Sequence, residues 1–421
     1  MGFFLMKNNE LIPHLFRTEY GKIVAVLSKL FGIVHIEIAE DLASETFLVA
    51  AETWPYNGIP NNPTAWLYTV AKNKAKNHFA RNSLFTNKIA NELKRDSKDW
   101  MDGEIDWSDK NIEDSQLQMM FAICHPSIPE KGQIALALRI LCGFSVNEIA
   151  NAFLCNKDTI HKRLFRAKEI LRVENIQLEI PRNSEITQRL DTVLKTLYLL
   201  FNEGYYSEYN VLMIRKELCV EAMNLLYVLL QNKHTNQHNT NSLMSLMCFH
   251  SSRLDARLSK NGEVILYEDQ DTSLWNQTLI EKGFYYLQQA SKHDAISPYY
   301  LEASIAYWYT VKMDSEEKWK SILYLYDQLL IINYTPIAAL NRIIALSKVK
   351  GKIEALKELK NLNYKDNHFY FLLMGNLYEG IDYKKAITAL EKALHLSHSE
   401  TEKLTILTKI EKLHSLARSK T

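Results

Sequence analysis

A cluster of basic side chains lies on one predicted helix near the middle of the chain. Guanidinium, ammonium and imidazole groups on one helix face can donate hydrogen bonds to base edges and can pair with phosphates. The opposite face is apolar, because four residues recur at helical spacing: Ile160, Leu164, Ala167 and Leu171. The outward-facing residues are His161, Lys162, Arg163, Arg166 and Lys168. Their chemistry is that of nucleic-acid binding.

The residues before this helix predict how it is positioned. Ser145 occupies an N-cap position and Glu148 follows three residues later, which is the pattern of a capping box. The segment 154–157 then breaks the helical period, and Asp158 or Thr159 is predicted to cap the next helix. A capped helix, a short turn and a basic helix together indicate a helix-turn-helix whose second helix enters the major groove. The alternative is an ordinary helical bundle with a solvated basic face.

Length, charge and cysteine usage set broad limits. The chain has 421 residues, enough for roughly two to four domains. Its formal net charge is +1, so a nucleic-acid surface must be local and offset by acidic regions elsewhere. Five scattered cysteines without a CxxC pair argue against a zinc site and a disulfide framework, and fit a reducing cytoplasm. Neither a signal peptide nor a membrane span is predicted, so we expect a cytoplasmic protein without a membrane partner.

Helical periodicity dominates the sequence. Glycine and proline are sparse (13 and 9 residues) and alternating strand-like runs are nearly absent, so the predicted fold class is all-α. The segment WPYNGIPNNP (54–63) predicts a turn, and the acidic, aperiodic segment 94–114 predicts a linker. The predicted divisions are helical domains at 1–85 and 114–178, an acidic linker at 86–113, a helical extension at 183–290 and helical repeats at 291–421.

The C-terminal part contains weak internal repetition. Predicted helix pairs begin near Pro298, Pro336 and His368, a spacing of roughly 35 residues, which is close to the period of tetratricopeptide repeats. In the best copy, small and large residues alternate so that two helices can pack closely: Gly375, Tyr378, Ala386, Leu390 and Ala393. The sequence therefore predicts a tetratricopeptide-like solenoid, with a generic helical bundle as the alternative.

Three motifs in the N-terminal part resemble a known family. AEDLASETF (39–47), AWLYTVAKNKAKNHFAR (65–81) and the helix-turn-helix follow the order found in the extracytoplasmic-function sigma factors of bacterial RNA polymerase. The resemblance implies an all-α sigma factor whose partners are core RNA polymerase and promoter DNA. Further motifs resemble the subgroup with a long helical C-terminal extension: CHP (124–126), FNEGYYS (201–207), SLMCFHSSRLDAR (245–257) and YEDQDTSLWNQTLIEKG (267–283).

The resemblance implies that the helix of the first motif docks on the clamp helices of the largest polymerase subunit. Asp41 and Glu45 lie four residues apart on one helix face, where they could pair with arginines, and Glu40 precedes them. A solvated acidic face is the alternative. Ile38 stands where the family usually has an acid, and Ser44 where it usually has a glutamine, so we expect the polymerase contact to differ in detail.

The segment 54–63 corresponds to the family's loop that captures a base flipped from the melted −10 element. Such capture needs aromatic stacking and hydrogen bonding, which the resemblance assigns to Trp54, Tyr56 and Asn57. The alternative is that these aromatic rings belong to the core, as we expect for Trp66. The residues expected to follow the backbone of the non-template strand are Lys72, Asn73, Lys76 and Arg81, together with Asn77. The family commonly has aspartate at the position of Asn77 and arginine at that of Ala80.

In the helix-turn-helix, the resemblance separates residues that read bases from residues that bind phosphates. The residues placed in the major groove of the −35 element are His161, Lys162 and Arg163. Phosphate contacts, which set register without reading sequence, are assigned to Thr159, Arg166 and Lys168. The acidic linker is expected either to follow the RNA-exit path of the polymerase or to act as a solvated tether.

The C-terminal extension is expected to be regulatory. It could bind a regulatory protein or a small ligand, or fold back over the DNA-binding surfaces, where high effective concentration makes weak contacts sufficient. Six polar or aromatic residues form either a buried polar network or a ligand pocket: His250, Arg253, Arg257, Asp269, Asp271 and Trp275.

Two other classes of protein are alternatives. A helix-turn-helix repressor or activator with a ligand-sensing domain would leave the first motif unexplained. An enzyme that uses His250 or Glu203 is not favoured, since the sequence has no glycine-rich phosphate loop, metal-ligand spacing or nucleophile elbow. We therefore predict no catalytic residue, no metal and no cofactor.

Overall fold

The computed structural model describes residues 8–89, 105–153, 155–205, 216–257, 265, 267–292, 295–362, 364, 366–397 and 400–418. Every regular element in these ranges is a helix, which confirms the predicted all-α fold. The chain divides into two compact units, Met1–Leu199 and Leu200–Thr421. Within the ranges given, no helix is long and apolar enough to cross a membrane. Most of the predicted acidic linker lies outside the described residues.

The first unit opens with three long helices, which we call the α1–α3 segment. Each helix turns an apolar face inward, and Leu27, Ala43 and Leu67 on successive helices are fully buried. A single 3-10 turn, Ile33–His35, connects the first helix to the second. The bounds of the three helices are α1 (Asn8–Phe31), α2 (Ile36–Asn57) and α3 (Pro63–Ile89).

The turn after α2 is shorter than predicted. α2 continues through Pro55 as far as Asn57 and ends at Gly58, whose φ of 82° favours glycine. Pro55 lies in the last turn of α2, and only two helical residues follow it. A proline so close to the end of a helix therefore does not prevent the helix from forming. Asn62 then supports the start of α3, because its side-chain oxygen accepts a hydrogen bond from the Ala65 amide at 3.0 Å.

The next four helices form the α4–α7 segment, which contains the helix-turn-helix. The predicted capping box is confirmed: the Ser145 hydroxyl accepts from the Glu148 amide, and the Glu148 carboxylate accepts from the Ser145 amide. The predicted apolar stripe, which begins at Ile160 and ends at Leu171, is buried at all four positions. The helices are α4 (Asp109–Ile123), α5 (Glu130–Leu136), which runs into a π-helical turn at Ala137–Leu141, α6 (Val146–Ala152) and α7 (Lys157–Val173).

The N-cap of α7 is Asn156, so the predicted cap at Asp158 or Thr159 is wrong. The side-chain oxygen of Asn156 accepts hydrogen bonds from the Thr159 backbone amide at 2.8 Å and from the Thr159 hydroxyl at 2.7 Å. An N-cap side chain bonds the amide three residues on, so Thr159 is the partner of the cap and not the cap itself. α7 therefore begins at Lys157.

α8 (Asn183–Tyr205) contains the division between the two units. Its N-terminal part packs within the first unit, where the Arg189 guanidinium donates to the Phe121 carbonyl at 2.7 Å. The Thr196 hydroxyl donates to the Gln133 side-chain oxygen, also at 2.7 Å. Residues up to Leu199 therefore complete the α4–α7 segment.

In the second unit, the helices pack chiefly against their neighbours in sequence, which is the packing of a helical solenoid. The predicted helix starts at Pro298, Pro336 and His368 are confirmed. The helices are α9 (Lys216–Gln231), α10 (His238–Ser252), α11 (Gln277–Ala290), α12 (Pro298–Trp308), α13 (Glu316–Ile332), α14 (Pro336–Lys350), α15 (Lys352–Leu362), α16 (His368–Tyr378), α17 (Tyr383–Leu396) and α18 (Glu400–Arg418).

Candidate nucleic-acid interface

The outer face of α7 presents part of the predicted basic set to solvent. His161, Lys162 and Arg166 are exposed. Arg163 is half-buried, with its guanidinium carbon 5.6 Å from the centre of the Phe153 ring at the end of α6. Thr159 is also half-buried, and its hydroxyl bonds the Asn156 cap. The exposed members of the predicted basic set therefore lie on the first two-thirds of the helix.

Phe165 is an exposed aromatic residue on this face that the sequence reasoning missed. It lies one turn after His161, and 67% of its surface is exposed. The sequence could have predicted its exposure, because Phe165 follows Leu164 and so does not lie on the apolar face of the helix. An exposed aromatic ring on a helix that enters the major groove has the chemistry to contact a thymine methyl group.

Lys168 does not join the exposed basic face. Its ammonium group pairs with the Glu40 carboxylate and lies 3.8 Å from Glu37, both on α2. Arg172, one turn later, also pairs with Glu37 at 3.5 Å. The predicted phosphate contact of Lys168 is therefore corrected for this structure: the residue is held by carboxylates of the α1–α3 segment.

Glu40 requires the matching correction. Glu40 is predicted, together with Asp41 and Glu45, to be a polymerase-binding acid, but it is only 4% exposed. One carboxylate oxygen accepts from the Arg139 Nε at 3.0 Å and the other from Lys168. Asp41 and Glu45 are exposed on α2, as expected for an acidic contact face. Glu45 also pairs with Lys74 on α3 at 2.8 Å, a contact that the sequence did not reveal.

The two aromatic residues assigned to base capture have different surroundings. Tyr56 is 90% exposed at the end of α2, and Asn57 beside it is exposed. Trp54 is only 5% exposed, with its ring centre 5.3 Å from that of the half-buried Trp66. Because a buried indole cannot stack on a DNA base, we remove Trp54 from the set of DNA-contacting residues. It belongs to the core beneath Tyr56.

The polar residues of α3 lie along its exposed surface. Asn73, Lys76 and Arg81 are exposed, and Lys72 is half-buried. These four residues extend over more than two turns after the Tyr56 turn. A line of cationic and amide groups of this kind has the chemistry to bind a phosphodiester backbone.

One of the polar residues predicted in the second unit, Arg253, belongs to a cation–aromatic cluster. The Arg253 guanidinium lies 5.5 Å and 5.7 Å from the ring centres of Tyr267 and Tyr309. Lys318, which the sequence reasoning missed, is 1% exposed and donates to the Tyr267 hydroxyl at 2.8 Å. Burial lowers the pKa of Lys318. The cluster is packed protein interior and supports the polar-network interpretation over the pocket.

The two acids of that predicted set, Asp269 and Asp271, are exposed and lie outside the buried cluster. Burial and the positive charges of Arg253 and Arg257 lower the pKa of His250 well below its usual value, so its ring is neutral. Trp275 is buried. Asp271 instead caps its own 3-10 turn by accepting from the Ser273 amide at 2.9 Å.

These features define an all-α protein with a helix-turn-helix whose outer face is basic. Residues 15–85 match the model of the family described as "Sigma-70 region 2". Residues 189–291 match a second model, described as "Family of unknown function (DUF6596)". No solved structure matches the chain.

Three relatives extend this comparison. An uncharacterized protein, R00370, of Rhizobium meliloti is 32% identical over 373 residues, which cover 87% of this chain and 88% of that protein. The RNA polymerase sigma-H factor of Pseudomonas aeruginosa is 29% identical over 35% of this chain and 78% of its own length. The ECF RNA polymerase sigma-E factor of Haemophilus influenzae is 31% identical over 25% of this chain and 58% of its own length. These similarities support a sigma factor of the extracytoplasmic-function type that carries an additional C-terminal domain.

Proposed function

We propose that this sigma factor binds bacterial core RNA polymerase and directs it to promoters by contacting the −35 and −10 elements. The exposed face of α7 carries the proposal, because His161, Lys162 and Arg166 project from the second helix of a capped helix-turn-helix. Arg163 is the proposed reader of a guanine, and its guanidinium carbon lies 5.6 Å from the centre of the Phe153 ring.

The −10 element is assigned to the α1–α3 segment. Tyr56 and Asn57 supply an exposed ring and amide for a flipped base. The strand that follows this base would run along Lys72, Asn73, Lys76 and Arg81.

The polymerase contact is assigned to the exposed acids of α2. Asp41 and Glu45 lie one turn apart, where two arginines of a partner helix can reach both. Glu45 must exchange its pairing with Lys74 for the polymerase contact. Because the proposed partner is core polymerase, the proposed place of action is the cytoplasm.

The C-terminal extension is proposed to regulate the sigma activity. None of the proposed promoter contacts lies in residues 189–291, which match the second family model, or in the solenoid helices that follow. We assign residues 200–290 and 291–421 to this regulatory part, after the −10 domain at 1–85, the linker at 86–113 and the −35 domain, which is predicted at 114–178 and completed by the part of α8 up to Leu199. A regulatory protein or a small ligand is the proposed effector.

Transcription in vitro with purified bacterial core polymerase tests the proposal. The full chain should give promoter-dependent transcripts from a genomic fragment library of its source, and a variant with alanine at His161, Lys162 and Arg166 should give few or none. Lys320→Ala, an exposed lysine of the second unit, is the matched control and should retain full activity. If the full chain neither binds core nor initiates, but still binds DNA, a free-standing helix-turn-helix regulator is the correct function.

A second comparison tests the regulatory role. A chain that ends at Leu199 keeps the part of α8 that bonds Phe121 and Gln133, whereas a cut at Gln177 would remove it. More transcription from the shortened chain than from the full chain would make the extension an inhibitor. Less transcription, with core binding retained, would make it a required element. Equal transcription from both would contradict a regulatory extension.

A further inference from the structure

A polar cavity lies between three helices of the second unit. It is bordered by the C-terminal end of α9, the start of α10 and the last two turns of α11. Its volume is about 340 Å³, which is within the range of small-molecule sites in proteins. The lining residues on these helices belong to the region that matches the family of unknown function. The cavity is therefore a candidate ligand site of the extension.

Side-chain amides from different elements converge on this cavity. Asn241, in the first turn of α10, is only 5% exposed, and its amide group donates to the Asn236 side-chain oxygen at 2.7 Å and to the Gln237 carbonyl at 2.9 Å. Asn236 is held in turn, because its own amide group donates to the Leu230 carbonyl at 3.0 Å. No described residue donates to the Asn241 side-chain oxygen, so this acceptor is available to a bound molecule.

Two glutamines add further hydrogen-bonding groups to the lining. Gln231, at the end of α9, is exposed, and its side-chain amide has no partner among the described residues. Gln289 of α11 is half-buried and accepts from the Lys292 ammonium at 2.7 Å, which leaves its own amide group to donate. An amide carries a donor beside an acceptor, so these side chains can pair with the edge of a nucleobase, as asparagine and glutamine do with adenine.

Three tyrosines supply flat aromatic surface beside the amides. Tyr227 of α9 and Tyr285 of α11 are each more than half exposed. The Tyr286 ring meets the Tyr285 ring edge to face, with ring centres 5.2 Å apart, which restricts the orientation of both rings. Burial raises the pKa of Tyr286, and so do Cys248 and the other two tyrosines, which shows that the three phenols lie close together. Exposed rings of this kind stack on planar bases.

The cavity also has a positive charge at one edge. Lys292 follows the end of α11 and is exposed. The described residues that line the cavity include no carboxylate, so an acidic group of a ligand can approach this ammonium group without repulsion from them. A lysine ammonium is a point charge that suits a phosphate group.

We propose that this cavity binds a nucleoside monophosphate. The base stacks on Tyr227 and Tyr285, its edge pairs with the amides, and its phosphate lies at Lys292. A sugar phosphate would satisfy the lysine and the amides but would leave the exposed rings without a planar partner. The site follows from the cavity alone, whereas its role in regulating transcription rests on the proposed function.

Isothermal titration calorimetry of the full chain with the monophosphates of adenosine, guanosine, cytidine and uridine tests the site. At least one of them should bind with one molecule per chain, and about tenfold or more tightly than ribose 5-phosphate. The basic face of α7 is a second place where a phosphate could bind. The variant with alanine at His161, Lys162 and Arg166 is therefore titrated in parallel, and it should bind the nucleotide equally well.

Two exposed residues of the cavity are substituted in turn. Tyr285→Ala should lower the affinity by about tenfold, because one stacking surface is lost. Lys292→Gln should lower the affinity for the monophosphate by about two- to fivefold and leave that for the nucleoside unchanged. The matched controls are Tyr324→Ala and Lys320→Ala, exposed residues of α13, which should retain full affinity. Circular dichroism checks that each variant keeps its helical content.

The outcomes separate the site from the proposed function. The site is wrong if none of the four monophosphates binds, or if neither Tyr285→Ala nor Lys292→Gln weakens binding. Equal affinity for ribose 5-phosphate would overturn the nucleotide and indicate a sugar phosphate. A nucleotide that binds here without changing transcription by the full chain and core polymerase would contradict the regulatory role alone. If the chain supports no transcription at all, the proposed function fails, and the titrations still decide the site.

Discussion

The basic residues of α7 and those of the second unit share side-chain chemistry but have opposite surroundings. His161, Lys162 and Arg166 project into solvent from a capped helix. Arg253 and Lys318 are buried against tyrosine rings. The difference teaches that basic residues in a sequence indicate a candidate binding face only where the fold leaves their side chains exposed to solvent. In this chain, the exposed cations suit a nucleic-acid partner, and the buried cations organise the extension.

The same contrast between a buried and an exposed residue appears two positions apart in α2, at Trp54 and Tyr56. It predicts the largest expected change in the free energy of unfolding. Trp54→Ala should lower the free energy of unfolding of the first unit by about 3–5 kcal/mol, because a buried indole against Trp66 is lost. Tyr56→Ala should leave the unfolding free energy nearly unchanged and reduce promoter melting. Urea unfolding and permanganate footprinting of the open complex measure the two effects.

Trp54→Phe is the control for the first of these variants. The Trp54 indole N–H is buried without a hydrogen-bond partner among the described residues, so the smaller ring should cost much less than alanine. If Trp54→Ala unfolds at the same urea concentration as the natural protein and instead abolishes melting, the assignment of Trp54 to the core is wrong.

The second prediction concerns the buried cation of the extension. Lys318→Ala should lower the free energy of unfolding of the second unit by about 2–4 kcal/mol, because it removes packed methylene groups and leaves the Val311 carbonyl, now 2.7 Å from the ammonium, unpaired. Lys320→Ala, two residues away at the surface, should change it little. Calorimetry of the full chain provides the measurement. Equal losses for both variants would mean that Lys318 is not a structural residue.

The third prediction separates base reading from phosphate binding on α7. Arg163→Ala should relax sequence preference at one promoter base pair, by about 1–3 kcal/mol. Arg166→Ala should weaken binding evenly on all sequences and reduce the slope of log affinity against log salt by about 0.9. Arg166 is a better test than Lys168, which Glu40 already holds. If both variants lose affinity equally on every sequence, Arg163 binds a phosphate.

Local features of α6 and α7 were predictable from the sequence, and long-range ones were not. The Ser145–Glu148 capping box and the apolar stripe from Ile160 to Leu171 depend on residues within a few turns, so periodicity and spacing located them. The ion pair of Glu40 with Lys168 joins residues 128 positions apart, which no local pattern encodes.

The errors at Trp54 and at the cap of α7 have more specific causes. Pro55 suggested that the helix stops before it, but a helix can finish its last turn after a proline, and this places Trp54 inward. Asn156, Asp158 and Thr159 are all good capping residues, and only the observed hydrogen bonds to Thr159 decide among them.

The smallest expected effect on stability comes from His250, which lies near Arg253 and Arg257 in the second unit. Its Nδ1 lies 3.1 Å from the Tyr205 hydroxyl, and burial with the charges of Arg253 and Arg257 lowers its pKa well below the usual value. In the unfolded chain the pKa is about 6.5, so below that pH the unfolded state binds a proton that the folded state does not. The stability contributed by neutral His250 is therefore fully present above about pH 6.5 and falls as the pH decreases.

The decline should reach at most about 1.4 kcal/mol for each pH unit below 6.5. Urea unfolding of the second unit at pH 7.5 and pH 5.5, compared between the natural protein and His250→Gln, isolates this contribution from the other histidines. The variant should lose less stability over this range, because glutamine does not titrate. If the two proteins show the same pH dependence, the folded state accepts the proton on His250 without cost, and the arginines must be farther from the ring than the cluster implies.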